Sequence, residues 1–154
     1  MTLQEDIKMK ADREDEAMGW YTTVTDNNYI REPYEHCAYD GVSTMGDEEF
    51  LTEIKVREKY TNEGIQSLGG SFLELKKLVG IINHQNDNRD YRKILYMVFL
   101  KDCVNIYDIY PDPNQFEWGL RNLPRNNFDS RLEWKMVTKL KEEDKIRTVM
   151  YKQQ

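Results

Sequence analysis

The chain is poor in the residues that build many metal and nucleophile sites. Among its 154 residues are two cysteines, Cys37 and Cys103, and two histidines, His36 and His84. None of these stands at metal-ligand spacing, so no Cys/His zinc set is present. Both cysteines sit in apolar, strand-like contexts and are expected as reduced, packed thiols. No serine lies in a nucleophile motif, and SLGGSF lacks the lysine that follows in a phosphate-cradling loop. Long apolar runs are missing too. The longest, around Ile94 to Leu100, is far too short to span a bilayer. MTLQEDIKMK has no hydrophobic signal core, which points to a cytoplasmic protein with no membrane partner. Positive charge is in deficit, with 22 Lys+Arg against 28 Asp+Glu and a net charge of -6. That balance argues against a broad phosphate-neutralising surface. It leaves room for a site that collects carboxylates around a divalent cation, because the bound ion reverses the local sign.

What is present describes a folded globule. Hydrophobic residues make up 39% and charged residues 32%, with ten tyrosines, so the chain is not of the disordered class. Its length fits one domain over residues 1–154, large enough to fold without a disulfide or metal staple. A first helix is expected from Leu3 to Trp20, capped by Thr2, with Ile7, Ala11, Met18 and Tyr21 on its buried stripe. Glu14 falls on that stripe, where an acid is unexpected. Strands are expected at His36–Asp40 and Phe50–Arg57, joined by a polar turn through Gly41 and Gly46–Asp47. Tyr60–Gly70 reads as a loop. Ser71-x-x-Glu74 has capping-box spacing and predicts a helix carrying Phe72, Leu75, Leu78, Val79 and Ile82. After a polar turn at Asn83–Asp90, Arg92–Leu100 is apolar on both faces and reads as a central strand, with Val104–Tyr110 its hairpin partner. An irregular segment bearing Pro111, Pro113 and Pro124 follows. Ser130-x-x-Glu133 predicts a last helix with Trp134, Val137 and Leu140 inward, continuing toward Tyr151. The expected architecture is α/β, a small central mixed β-sheet flanked by helices.

One stretch carries chemistry. Asp40 is expected to close one strand while Glu53 and Lys55 share a face of the next, about 7 Å apart at period two. A hairpin would bring both carboxylates to one sheet edge, where oxygen ligands completed by water and phosphate suit Mg²⁺ or Mn²⁺. The Lys55 ammonium would hold an attacking water or offset negative charge growing on phosphorus. Glu14 would add a third carboxylate, with Glu16 taking its part if the helix is rotated. The plainer account of Glu53, Lys55 and Arg57 is a solvated strand face. Lys76 and Lys77 likewise fit a solvated helix face.

An acid on the first helix, an acid at a strand end and Glu-x-Lys in the paired strand resemble the PD-(D/E)XK nuclease superfamily, with Glu14, Asp40, Glu53 and Lys55 as the matching residues. Tyr39 stands where the pattern has Pro. The resemblance implies a restriction-endonuclease-like fold and a Mg²⁺-dependent (or Mn²⁺-dependent) endonuclease acting on DNA. It implies Asp40, Glu53 and the Ile54 carbonyl as metal ligands, and Lys55 and Glu14 as catalytic partners. SFLELKKL is similar to the helix that presents a polar side chain to such sites, here Lys77 or Lys76; Arg57 and Lys77 are the expected substrate contacts. The element order resembles small phage-type members, and a homodimer would suit cutting of both strands. The superfamily also includes silent members, so the alternative is a binding or assembly module of the same fold. A third reading is an unrelated α/β domain. DNA versus RNA, and duplex versus branched substrate, stay open.

Overall fold

A computed structural model describes residues 2–33, 37–124 and 131–151. Helix α1 spans Leu3–Val24, and its start follows from Thr2. The Thr2 hydroxyl accepts the Glu5 N–H at 3.1 Å, and the Glu5 carboxylate accepts the Thr2 N–H at 2.7 Å. Each end of this reciprocal box satisfies a backbone or side-chain group the helix would otherwise leave open, a stabilisation of about 0.5–2 kcal/mol. The buried stripe is narrower than expected. Glu14, Met18 and Tyr21 are buried, whereas Ile7 is exposed.

Strands β1 (Asn28–Arg31), β2 (Gly41–Met45) and β3 (Glu48–Arg57) form an antiparallel meander. The β2–β3 turn is Gly46–Asp47, with Gly46 at φ +62, a conformation that a side chain would strain. Gly41 belongs to β2 rather than to the turn, and Asp40 stands just ahead of β2 instead of closing a strand. The expected strand over His36–Asp40 is absent at residues 37–40, and His36 lies outside the described residues. Short helix α2 (Asn62–Ser67) occupies what read as a loop. Strand β4 (Ser71–Glu74) replaces the expected helix start, and helix α3 runs Leu75–Asn88 through the supposed polar turn. The Ser71-x-x-Glu74 box is therefore not formed. Glu74 makes no side-chain cap hydrogen bond and instead meets Lys135 Nζ at 2.9 Å.

Strands β5 (Lys93–Leu100) and β6 (Cys103–Ile109) form the expected central hairpin, and β5 pairs parallel with β3. Beyond them lie β7 (Gly119–Pro124), β8 (Leu132–Leu140) and β9 (Lys145–Met150). The last helix expected from Ser130, a residue outside the described set, is thus two strands. Trp134 points outward at 69% exposed, while Val137 and Leu140 are buried as read.

One six-stranded mixed sheet runs β1-β2-β3-β5-β6-β9, and a three-stranded sheet runs β4-β8-β7. The central strand's apolar run explains its position, since both faces must be covered. On one face Leu78 and Ile81 of α3 and Leu73 of β4 pack with Leu51, Tyr96, Val98 and Tyr107 of the sheet. On the other, Met18 and Tyr21 of α1 cover Phe50, Ile54, Leu95 and Phe99. Cys103 is buried and Cys37 is half-buried, both as free thiols. Among the described residues no helix is long and apolar enough to cross a membrane.

Candidate active site

The edge where β2 begins gathers the acids. The register of β2 on β3 ends at Gly41 opposite Thr52. Asp40, one residue outside it, is pinned by its main chain, donating to Thr52 O at 2.9 Å and accepting from Glu32 N–H at 3.0 Å. Its carboxylate Oδ2 then accepts the Ile54 N–H at 2.7 Å, capping the strand edge that β2 has vacated. In an extended strand the N–H and C=O of one residue face the same side. The Ile54 carbonyl therefore opens toward Asp40.

Glu53 points to the α3 face and is only 2% exposed. Its Oε1 lies 3.5 Å from Lys77 Nζ and 3.8 Å from Lys55 Nζ. These are ion-pair separations, and Oε1 has no hydrogen-bond partner among the described residues. Burial first, and the Asp40 charge second, push the Glu53 carboxyl above its ordinary value. Lys55 is pushed down to about 8, chiefly by burial, with Glu53 opposing. Lys77 moves up, held by Glu53. The Glu53 and Lys55 shifts share a cause, charges that water would stabilise placed where little water reaches, whereas at Lys77 the attraction of Glu53 outweighs burial.

Glu14 approaches from α1 and is the buried acid of the first helix, whereas Glu16 is exposed. Arg31 Nη2 lies 3.2 Å from Glu14 Oε2, and Arg31 Nε bonds Asp15 Oδ1 at 2.6 Å. Burial and then Asp40 raise the Glu14 carboxyl to about 7. Arg57 stands at the end of β3 with Nη1 3.3 Å from the Val56 carbonyl, and Lys76 is exposed. The structure thus brings Glu14, Asp40, Glu53, Lys55 and Lys77 into one electrostatically linked cluster. Among the described residues no three His, Cys, Asp or Glu side chains form a complete ligand set. A cation here would need main-chain oxygen, water or phosphate besides Asp40 and Glu53, as Mg²⁺ accepts.

Sequence reading missed Arg31 and Tyr29. Both lie on β1, whose four residues follow a turn-like Thr/Asp/Asn run and give too short a pattern to read. A Cβ on Gly41 would meet the Tyr29 ring and the Ile30 carbonyl oxygen at 2.5 Å. Gly41→Ala is accordingly expected to destabilise the protein by about 1–3 kcal/mol through forced separation of β1 from β2. Chemical denaturation measures the loss.

No known protein-family profile matches the chain, and no curated protein sequence does either. Among solved structures, the fold matches Hjc, a Holliday junction resolvase of the archaeal hyperthermophile Archaeoglobus fulgidus, with a TM-score of 0.51. The match covers 92% of this chain and 91% of that chain at 11% identity. At so low an identity the likeness shows the fold alone, a mixed α/β architecture shared with that resolvase.

Proposed function

We propose that this protein is a divalent-metal-dependent nuclease of the PD-(D/E)XK type that hydrolyses phosphodiester bonds in DNA. The observation that carries the reading is the buried Glu53 carboxylate, which neighbours Asp40 and the Lys55 and Lys77 ammonium groups and whose Oε1 has no hydrogen-bond partner among the described residues. Two like charges in a dry site raise each other's cost, and a cation between them removes it. Asp40 and Glu53 would hold Mg²⁺ or Mn²⁺, with the Ile54 carbonyl as a further oxygen. When bound, the ion supplies charge neutralisation and Lewis acidity toward phosphate.

The chain's own residues supply the rest. Lys55 remains mostly protonated at neutral pH, given its value of about 8, and so donates to the attacking water and offsets charge developing on the phosphate. Pairing of β3 with β5, which sets Glu53 opposite Tyr96 and Lys55 opposite Val98, fixes the two side chains one pleat apart. Lys77 and Arg57 flank the site as contacts for neighbouring phosphates. Glu14, fastened by Arg31, faces Asp40 from the opposite layer. Likeness of fold to a junction resolvase makes branched DNA the first substrate to try, and a homodimer would set two sites for paired cuts.

The test is cleavage of supercoiled, single-stranded and four-way-branched DNA in Mg²⁺ or Mn²⁺, compared with Glu53→Gln. Cleavage by the wild type, with loss of at least about 10²-fold in the variant, is expected. A wild-type protein that binds branched DNA and cuts none of the three would instead support the non-catalytic module.

A further inference from the structure

The Tyr29 hydroxyl is buried and has no hydrogen-bond partner among the described residues. A buried phenol normally finds one, because an unmet hydroxyl forfeits its bond to water. Its surroundings single it out further. The ring is held against Gly41, the neighbour of Asp40, at a spacing that excludes even a methyl group. The hydroxyl lies within the electrostatic reach of Arg31, Asp40, Glu14 and Asp15. Burial, with the three acids adding to it and Arg31 opposing, holds the phenol pKa above its ordinary value, so the group keeps its proton throughout the physiological range. Arg31 itself is committed to Glu14, Asp15 and the Ala11 carbonyl. A donor without a partner among the described residues therefore stands on the α1 side of β1, on the face that Tyr29 shares with Arg31 and hence with Glu14, and against Gly41, which follows Asp40.

We propose that Tyr29 is a positioning residue of the site: its hydroxyl donates to a water held between the Glu14 and Asp40 carboxylates, and that water belongs to the hydration shell of the divalent cation. This rests on the nuclease reading above. Mg²⁺ keeps several waters, and groups that orient such outer partners tune affinity by about 10-fold or more. The ring contact with Gly41 then has a second purpose, since it fixes the height of the hydroxyl relative to Asp40.

Tyr29→Phe tests the idea because it keeps the ring and its packing. Mn²⁺ binding to the full-length protein, followed by calorimetry without DNA, is expected to weaken roughly 10-fold. The Mg²⁺ concentration for half-maximal cleavage should rise by the same factor, with the rate at saturation changing less. Without cation the variant should melt at or above the wild-type temperature, because a buried unmet hydroxyl has been removed. A shift of melting temperature on adding Mn²⁺ should shrink. In a Glu14→Gln background the effect of Tyr29→Phe on Mn²⁺ affinity should largely vanish, since the water has lost one holder. Unchanged Mn²⁺ affinity in Tyr29→Phe, with normal cleavage by both proteins, would overturn this assignment and leave the nuclease reading standing. A wild-type protein that neither binds Mn²⁺ nor cuts DNA would overturn both.

Discussion

Lys55→Ala should lower Mg²⁺-dependent cleavage by about 10²–10³-fold, the usual cost of removing one preorganised charge from a developing oxyanion. The reason lies in where the ammonium is kept. Its side chain is 14% exposed and 3.8 Å from Glu53 Oε1, and its pKa is already drawn down to about 8 by burial. A charge held in that environment acts with little screening and needs no reorganisation as phosphate charge grows. DNA binding in Ca²⁺ should change little, because Arg57 and Lys77 remain. Folding should also survive: Glu53 keeps Lys77 at 3.5 Å, so no buried carboxylate is stranded. Single-turnover cleavage rates against melting temperature measure both parts. A rate within twofold of wild type would remove Lys55 from the mechanism.

The second large effect concerns pH. Glu14 has a folded value of about 7 against an ordinary 4.5, so between those values the folded state keeps a proton that the unfolded state has released. Stability is then fully present below pH 4.5 and declines as pH rises through about 7. The interval corresponds to roughly 3 kcal/mol, and Glu53, raised for the same reason, adds in the same direction. Lys55 acts in a different window. Its value of about 8 against 10.5 unfolded returns stability only as pH climbs between those two values. At the acid end the Asp90 carboxyl, held low by its Arg92 hydrogen bonds, contributes stability above its unfolded value of 3.8 that is lost on further acidification. The metal-free protein should therefore be most stable near pH 4.5 and weaken toward neutrality. Added Mg²⁺ should reverse this, stabilising little at pH 5 and much more at pH 8, because cation and proton compete for the same oxygens. Urea midpoints in chelator and in Mg²⁺ across this range decide the matter. Glu14→Gln should flatten the metal-free profile, and an equally steep profile in that variant would count against the buried-acid account.

Local signals were read well where one interaction dominates. Thr2 caps α1 because the N–H it accepts, that of Glu5, lies only three residues on. Ile94–Leu100 becomes a covered central strand because a run apolar on both faces has no other stable place. The alternation of Glu53 and Lys55 needs only the geometry of an extended backbone. Where two periods compete, sequence was insufficient. Trp134, Val137 and Leu140 recur at helical spacing, yet Leu132, Trp134 and Met136 also alternate as in a strand. Pairing of β8 with β4 and β7 settles the choice and leaves Trp134 exposed. Ser71-x-x-Glu74 carries the letters of a capping box, but Ser71–Glu74 is committed to β8, and Glu74 to Lys135.

The sequence by itself determined the core strand, the first helix and the identity of the charged residues, because each depends on neighbours close along the chain. Tertiary structure alone decided that Asp40 lies beyond the last β2–β3 rung, that Lys77 reaches Glu53, and that β1 brings Arg31 and Tyr29 to Glu14. Those juxtapositions join residues about one to two dozen positions apart, and the cost of burying their charges is set by the packed layers around them rather than by any local pattern.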